Sequence, residues 1–348
     1  MSHQVTIQNS GHSFEVRPSQ TVLQAAIEAD IHIPYGCRNG ACGSCKATLV
    51  SGKVMHDDYQ SSAMTAAELA AGHTLLCCAL PLEDIVVECR EVGGLTGIKP
   101  RILPARVAKK EQLSHDVIAL HLQLPASERL QFLAGQYIEF ILKDGKRRAF
   151  SIANAPHDAE FIELHIRVIA GGVFSEYVAN ELQEKAILRL EAPFGNFFLR
   201  EDSSKPLIMV AGGTGFAPVK GIIEHMLHNN IQRDIILYRG ARQLQDLYMH
   251  ELCEKWAEFT PHLTYIPVLS EPVASDNWAG RTGLVHEAVL ADTINQNMDL
   301  SAYQAYVCGA PGMCEVAHTS FVQQGLDADE FFSDAFTFAK PVPKAMIL

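Results

Sequence analysis

Three cysteines lie within nine residues near the N-terminus, in the run CRNGACGSC, and two adjacent cysteines follow in LLCCAL. Cys37, Cys42 and Cys45 have the spacing C-x4-C-x2-C. This spacing is typical of plant-type [2Fe–2S] sites, whose fourth thiolate comes from farther along the chain. The small residues between the cysteines leave room for backbone N–H groups to approach anionic sulfur. The run therefore predicts a cluster-binding loop.

The fourth ligand is Cys77 or Cys78. We expect Cys77, because it directly follows a pair of leucines, and we expect Cys78 to be its buried neighbour. A structural zinc site is the alternative, although such sites usually contain C-x2-C pairs and this loop has a single one. Arg38 can add positive charge near the cluster, and the surface around Arg38 and Asn39 is a candidate docking face.

The composition is that of a globular protein of two or three domains, with 348 residues, 48% hydrophobic and 20% charged. The formal net charge of -12 disfavours binding to nucleic acid. The N-terminus lacks the apolar region of a signal peptide, and the longest apolar stretch is too short and too rich in glycine to span a bilayer. We therefore expect a cytoplasmic protein without a membrane partner, in which nine cysteines serve metal binding, catalysis or packing.

Hydrophobic patterning divides the chain into three domains and a linker. Residues 1–92 combine a predicted hairpin, a helix and the cysteine loop. Residues 93–103 are rich in glycine and proline and are predicted to be a linker. Residues 104–202 contain short alternating strands, typical of an antiparallel barrel or sandwich, with one helix near SEYVANEL. Residues 203–348 alternate strands with helices, which predicts a parallel sheet with helices on both faces.

Two motifs in the second domain suit a flavin. In the strand RAFS, Arg148 can pair with a diphosphate, Phe150 can stack on the isoalloxazine ring, and Ser151 can hydrogen-bond flavin N5. A glycine-rich turn then leads into the predicted helix, whose N-terminus is a ready diphosphate site. The residues of this turn are Gly171, Gly172, Val173 and Ser175.

Two motifs in the third domain suit a nicotinamide dinucleotide. In VAGGTGFAP, Gly212, Gly213 and Gly215 follow a strand and open a helix, which allows the backbone to approach a pyrophosphate. The motif departs from the full dinucleotide fingerprint, because Pro218 stands at the place of the third small residue. In VCGAPGM, Cys308 ends a strand and can lie against the nicotinamide ring, although a buried small hydrophobe is the alternative.

The order of these motifs gives the chain a family resemblance over essentially its whole length. It resembles the single-chain NADH-dependent reductases of bacterial oxygenases and sugar-deoxygenating systems, and FSDAF near the C-terminus is similar to the CDP-6-deoxy-glucoseen reductase type. These proteins join a plant-type ferredoxin domain to a module of the ferredoxin–NADP+ reductase type. The resemblance implies a β-grasp ferredoxin domain, an antiparallel β-barrel FAD domain and an α/β parallel-sheet nicotinamide domain.

The resemblance also implies roles for residues in each motif. The residues implied to bind FAD and its diphosphate are Arg148, Phe150, Ser151, Gly172, Val173 and Ser175. The residues implied to bind the nicotinamide dinucleotide are Gly213, Thr214, Gly215, Cys308 and Gly309. Ser151, Cys308 and Phe336 are the predicted catalytic residues, with the Phe336 ring covering the flavin.

The predicted reaction transfers hydride from NAD(P)H to FAD and then single electrons through the [2Fe–2S] cluster to a partner protein. The resemblance implies NADH, a monomer, and an oxygenase or sugar-deoxygenating dehydratase as partner. NADPH stays open, because no acidic residue ends the strand DIILYRGAR and Arg242 can accept a 2′-phosphate. The alternative functions are a diaphorase or flavin reductase, and a redox-sensing interaction protein.

Overall fold

The computed structural model describes residues 2–95, 97–158 and 160–336. Within these ranges the chain forms three consecutive domains, each organised around its own main sheet. None of the helices in these ranges combines the length and the apolar character that a membrane crossing requires.

The N-terminal domain is a β-grasp fold, with a five-stranded sheet in the order β2-β1-β7-β3-β5 and a small β4-β6 sheet. Strands β1 and β7 are parallel, and the other neighbours in the main sheet are antiparallel. Thr21 caps the first helix with a capping box. The elements are β1 (His3–Ile7), β2 (Ser13–Val16), α1 (Val22–Glu28), β3 (Lys46–Ser51), β4 (Val54–His56), α2 (Ala66–Ala70), β5 (His73–Leu75), β6 (Ala79–Pro81) and β7 (Ile85–Glu88).

The central domain is an antiparallel barrel with strand order β11-β10-β13-β8-β9-β12. A bridge between Ile152 and Leu164 joins the two edges of this sheet and closes the barrel. Inward-facing residues of the alternating strands form one apolar core. The elements are β8 (Arg101–Gln112), β9 (Val117–Gln123), β10 (Tyr137–Ile141), β11 (Arg147–Ser151), β12 (Ile162–Arg167), α3 (Val173–Asn180) and β13 (Ile187–Phe194).

The C-terminal domain has a six-stranded sheet in the order β17-β16-β15-β14-β18-β19, with parallel neighbours throughout. Helices cover both faces, which explains why the central strands are continuous apolar runs. The elements are β14 (Leu207–Gly212), α4 (Phe216–His228), β15 (Ile235–Ala241), α5 (His250–Phe259), β16 (Leu263–Leu269), β17 (Arg281–Thr282), α6 (Val285–Asn295), β18 (Gln304–Gly309), α7 (Pro311–Gln323) and β19 (Phe331–Ala335).

Parts of the segment predicted as a linker, residues 93–103, pack against the barrel domain. Val92 and Leu95 are buried with Phe198 in a small apolar cluster. Strand β8 already begins at Arg101, inside the predicted linker, because residues 101–106 pair with β13 and bury Leu103. The glycine and proline content predicted a linker, but it did not show that the apolar residues Leu95 and Leu103 are buried.

A buried ionic network joins the barrel to the C-terminal domain. Lys220, in α4, donates hydrogen bonds to the Ala153 carbonyl at 3.1 Å and to the Glu163 carboxylate at 3.0 Å. It also lies 2.9 Å from the Glu224 carboxylate, and Glu163 lies 2.7 Å from His165. Burial disfavours the charged form of Glu163, but the contacts with His165 and Lys220 outweigh it and lower the pKa of Glu163 to about 2. The network holds α4 directly on the segment that follows β11.

We expect Lys220→Met to destabilise the protein, because it leaves two partly buried carboxylates without their shared cation. Removing one partner of a buried ion pair costs about 3–5 kcal/mol, so the urea midpoint should fall clearly. Lys53→Met is the matched control, since Lys53 is exposed and such surface changes stay within about 0.5 kcal/mol. Equal urea midpoints for the two variants would contradict the role given to this network.

Candidate functional site

The cysteine loop between α1 and β3 directs backbone N–H groups at sulfur. The N–H groups of Cys37 and Ala41 donate to Cys42 Sγ at 3.4 Å and to Cys37 Sγ at 3.3 Å. The N–H group of Cys77 donates to Cys45 Sγ at 3.4 Å. Such bonds stabilise negative charge on sulfur, as the ligands of an iron–sulfur cluster require.

The thiols of the loop contact each other in two pairs. A hydrogen bond from Cys37 lowers the pKa of Cys42 to about 5, and the same contact raises that of Cys37 well above its usual range. The hydrogen bond with Cys45 raises the pKa of Cys77 to about 12. Two pairs of thiols suit a cluster whose two irons share four cysteines. Among the described residues, no group of three or more His, Cys, Asp or Glu is arranged to hold a single metal ion.

The two candidates for the fourth ligand occupy different places. Cys77 contacts Cys45, whereas Cys78 lies behind the loop with its Sγ 4.0 Å from the Asp58 carbonyl and 3.6 Å from Cys77 Sγ. A Cβ atom on Gly40 would come within 2.7 Å of Cys78 Sγ, so glycine at this position lets the loop approach Cys78. The arrangement favours Cys77, whose role as a ligand stays a prediction.

The RAFS motif forms β11, at one edge of the barrel sheet. Phe150 packs against Phe140 and Phe174, with ring centroids 5.9 and 5.4 Å away. Within the described residues Arg148 forms no ion pair, and its guanidinium donates to the carbonyl of Arg147. Arg147, by contrast, is paired with two glutamates. The Arg148 guanidinium is therefore available for a diphosphate, while Phe150 presents a half-buried ring beside it.

The glycine-rich turn leads into α3 as predicted, but one side chain is used differently. Gly171 has φ +78°, and Gly172 is the N-cap of the helix. The Ser175 hydroxyl accepts from the Ile169 N–H at 3.2 Å and donates to the Gly172 carbonyl at 3.1 Å, so it holds the turn together. Val173 is 74% exposed at the start of the helix. A diphosphate here would meet backbone N–H groups of the first turn rather than the serine hydroxyl.

The VAGGTGFAP motif joins β14 to α4. Gly212 ends the strand, and Gly213, Thr214 and Gly215 form one turn of 3-10 helix ahead of α4. A Cβ atom on Gly215 would lie 2.2 Å from the carbonyl oxygen of Cys308, so the turn can lie against β18 only if this residue is glycine. The sequence prediction of a strand, a glycine turn and a helix is confirmed by these elements.

The residues predicted to be catalytic come together around an aspartate. Ser151 Oγ donates to Asp334 Oδ2 at 3.3 Å, and Asp334 pairs with Cys308 across β18 and β19. The N–H of Phe336 donates to the Gly309 carbonyl at 2.8 Å, and its ring packs on the core that contains Cys308. The barrel and the C-terminal domain thus bring Ser151, Cys308 and Phe336 to one place.

Asp334 was missed as a site residue by sequence reasoning, although it lies in the FSDAF motif. Burial, together with the charge of Cys42, raises the pKa of Asp334 to about 7. Burial likewise raises the pKa of Cys308 well above its usual range, so this thiol is neutral. Tyr137, opposite Ser151 on β10, donates from Oη to the Gly36 carbonyl at 2.7 Å, so the cluster loop lies close to the same junction.

Arg167 is a second residue that the sequence did not reveal. Its Nε donates to Asp116 Oδ2 at 2.7 Å, and the terminal nitrogens Nη1 and Nη2 take no part in this hydrogen bond. A Cβ atom on Gly213 would lie 3.0 Å from Arg167 Nη1. The barrel therefore places a cation directly beside the glycine turn of the C-terminal domain, where a pyrophosphate is expected.

Three family models match the chain in the order of its domains. Residues 5–82 match the 2Fe-2S iron-sulfur cluster binding domain. Residues 104–199 match the oxidoreductase FAD-binding domain, and residues 209–319 match the oxidoreductase NAD-binding domain.

Similar proteins share all three domains. The CDP-6-deoxy-L-threo-D-glycero-4-hexulose-3-dehydrase reductase of Yersinia pestis is 40% identical over 98% of this chain and 100% of its own length. The chain belongs to the single-chain FAD/[2Fe–2S] reductase family. Reductase component 2 of the terephthalate 1,2-dioxygenase of Comamonas sp. is 35% identical over 97% of this chain and 98% of its own. The crystal structure of the Amycolatopsis cytochrome P450 reductase GcoB is 30% identical, with a TM-score of 0.80, over 96% of this chain and 98% of its own.

The reductase is therefore an NAD(P)H-dependent oxidoreductase whose domains bind FAD, a nicotinamide dinucleotide and a [2Fe–2S] cluster. The predicted family, three-domain architecture and electron-transfer activity are confirmed. The individual site residues stay predictions that the geometry above supports.

We expect Gly215→Ala to weaken dinucleotide binding, because the added Cβ would overlap the Cys308 carbonyl and displace the turn. The KM for NADH should rise at least about tenfold, which corresponds to ~1.4 kcal/mol of binding free energy. Bound FAD should be unchanged. Gly312→Ala is the control, since a Cβ at Gly312 meets no atom within 4 Å. Similar KM values for the two variants would contradict the close approach of the turn to β18.

Proposed function

We propose that this reductase takes hydride from NADH and delivers single electrons to a separate protein, an oxygenase or a sugar-deoxygenating dehydratase. The names of the dehydrase reductase and of the dioxygenase reductase component support this choice of partner. The observation that carries the proposal is the junction at Asp334. Ser151 of the RAFS strand bonds Asp334, Asp334 lies opposite Cys308 at the end of β18, and Tyr137, opposite Ser151, bonds the cluster loop at Gly36. Because one chain supplies all three sites, we also propose that it acts as a monomer.

FAD, when bound, supplies the exchange between two-electron and one-electron chemistry, and the cluster carries single electrons. The chain supplies orientation and exclusion of water. We assign to the Ser151 hydroxyl, which bonds Asp334, the role of hydrogen-bonding the flavin edge that would receive hydride. Cys308 is fully buried and neutral, so its side chain packs behind the proposed nicotinamide site and brings no competing charge to it. Phe336 packs on the apolar core that includes Cys308, and we propose that its ring covers the flavin.

An aspartate beyond β15 supports NADH over NADPH. Asp246 is 7% exposed, and its Oδ1 accepts no hydrogen bond from the described residues but lies 3.5 Å from His115 Nε2. Its Oδ2 lies 3.5 Å from Arg242 Nε, so the cation that could have accepted a 2′-phosphate already faces a carboxylate. A carboxylate after the second strand of such a domain can accept from a ribose 2′-OH, and it repels a phosphate at the same position.

We expect Asp246→Asn to raise the kcat/KM for NADPH relative to that for NADH by about tenfold, or ~1.4 kcal/mol. The amide keeps the size of the side chain and an oxygen for the Gln243 N–H, but it removes the charge that repels the phosphate. Asp276→Asn is the control, because that carboxylate caps the neighbouring Val273 and Leu244 N–H groups. If the two variants show the same coenzyme ratio, Asp246 does not select the coenzyme.

The modular electron route is tested by Cys42→Ser. Loss of one thiolate should abolish the visible and paramagnetic signals of the cluster and the reduction of protein acceptors such as cytochrome c. FAD content and the NADH-to-ferricyanide rate should stay close to wild type, because the flavin and nicotinamide residues lie on the other two domains. Cys89→Ser, at a half-buried cysteine outside the loop, should preserve both activities. Cytochrome c reduction at the wild-type rate without the cluster would favour a diaphorase instead.

A further inference from the structure

Arg38, in the middle of the cysteine loop, faces the barrel and does not form part of an outer docking face. Its side chain is 18% exposed, whereas the next residue, Asn39, is exposed. The guanidinium donates from Nη1 to Glu139 Oε2 at 3.2 Å, and its Cζ lies 3.9 Å from the centroid of the Phe194 ring. The backbone of Arg38 has φ +60°, a left-handed conformation that costs energy for any residue with a side chain. Its contacts across the domain boundary hold it there.

The partner of Arg38 lies on the strand next to the flavin motif. Glu139 belongs to β10, is 6% exposed, and also accepts from Arg147 at 3.0 Å. Strand β10 pairs with β11, so that Glu139 is opposite Ala149 and Tyr137 is opposite Ser151. One ion pair therefore connects the cluster loop to the strand that neighbours RAFS.

Apolar packing and hydrogen bonds surround Arg38 at the boundary between the N-terminal domain and the barrel. The Tyr137 and Phe194 side chains of the barrel are members of the apolar core of the N-terminal domain. Three further hydrogen bonds, each made by a side chain with the backbone, join the N-terminal domain to the barrel. They join Tyr137 Oη to the Gly36 carbonyl at 2.7 Å, the Gly195 N–H to Tyr35 Oη at 3.1 Å, and Asn196 Nδ2 to the Ile33 carbonyl at 3.0 Å.

We propose that Arg38 is a positioning residue, which holds the cluster loop on strand β10 so that electrons cross from flavin to cluster through a fixed contact. In each crossing the flavin is oxidised by one electron and the cluster is reduced by one, with no covalent bond formed or broken. The inference rests on the flavin-to-cluster step of the proposed function. It adds that the step needs no movement of the N-terminal domain relative to the barrel.

The test compares Arg38→Gln, Arg38→Lys and Arg17→Gln in the holoenzyme. Arg17 lies in the same domain and forms an exposed pair with Glu28, so its variant controls for the loss of one surface charge. After anaerobic mixing with NADH, the reductions of flavin and cluster are followed separately by absorbance. Arg38→Gln should slow cluster reduction severalfold, because the electron-transfer rate falls as the separation of the two redox groups grows. Flavin reduction should be unchanged, and Arg38→Lys should recover part of the rate because it keeps the charge opposite Glu139.

A second measurement does not depend on turnover. In Arg38→Gln, hydrogen–deuterium exchange should become faster in residues 33–38 and 194–196. In Arg17→Gln, exchange in these two segments should be unchanged. If Arg38→Gln does not retain its cluster, Tyr137→Phe takes its place, since it lies outside the loop and removes the bond to the Gly36 carbonyl. This variant should slow the same step and loosen the same segments.

The results of these measurements distinguish the positioning role of Arg38 from the proposed function. Cluster reduction at the wild-type rate in both Arg38→Gln and Tyr137→Phe, with unchanged exchange, would overturn the positioning role and leave the proposed function intact. A wild-type cluster-reduction rate that falls in proportion to added glycerol viscosity would also overturn it, because it would mean that the domain moves. A wild-type cluster that stays oxidised after the flavin is reduced would overturn the proposed function and this inference together.

Discussion

The structure depends on the packing of two domains against adjacent strands of the central barrel. Three redox sites on three domains can exchange electrons only if their separations are small and reproducible. Strand β10 carries Glu139 and Tyr137, which hold the cluster loop. Its neighbour β11 carries Ser151, which bonds the last strand of the C-terminal domain through Asp334. The barrel thus binds the flavin and fixes the positions of the other two sites.

Buried ion pairs fix how the domains are oriented at these contacts. Apolar packing alone tolerates sliding, whereas a buried ion pair is costly unless its geometry is kept, so it favours one arrangement. Lys220 between Glu163 and Glu224 sets α4 on the barrel, and Arg38 on Glu139 sets the cluster loop. Lys220 and Arg38 each lie within a few residues of a cofactor motif. Each pairs with a carboxylate on a strand of the barrel, Glu163 for Lys220 and Glu139 for Arg38.

Local motifs were predictable from the sequence, and contacts across domain boundaries were not. The cysteine spacing and the glycine turn have chemical meaning within a few residues, and the structure contains both as expected. Asp246 was missed because the acid was sought at the end of β15, whereas a 3-10 turn brings it back several residues later. Asp334 and Arg167 were missed because their meaning comes from Ser151 and Gly213, which are distant in sequence.

The orientation of Arg38 also bears on how a partner protein reaches the cluster. A cysteine loop has two sides, and the side that carries Arg38 is covered by Phe194 and Glu139 of the barrel. We therefore expect a partner to approach from the side of the exposed Asn39. This arrangement allows the partner to bind without competing with the domain that supplies the electrons.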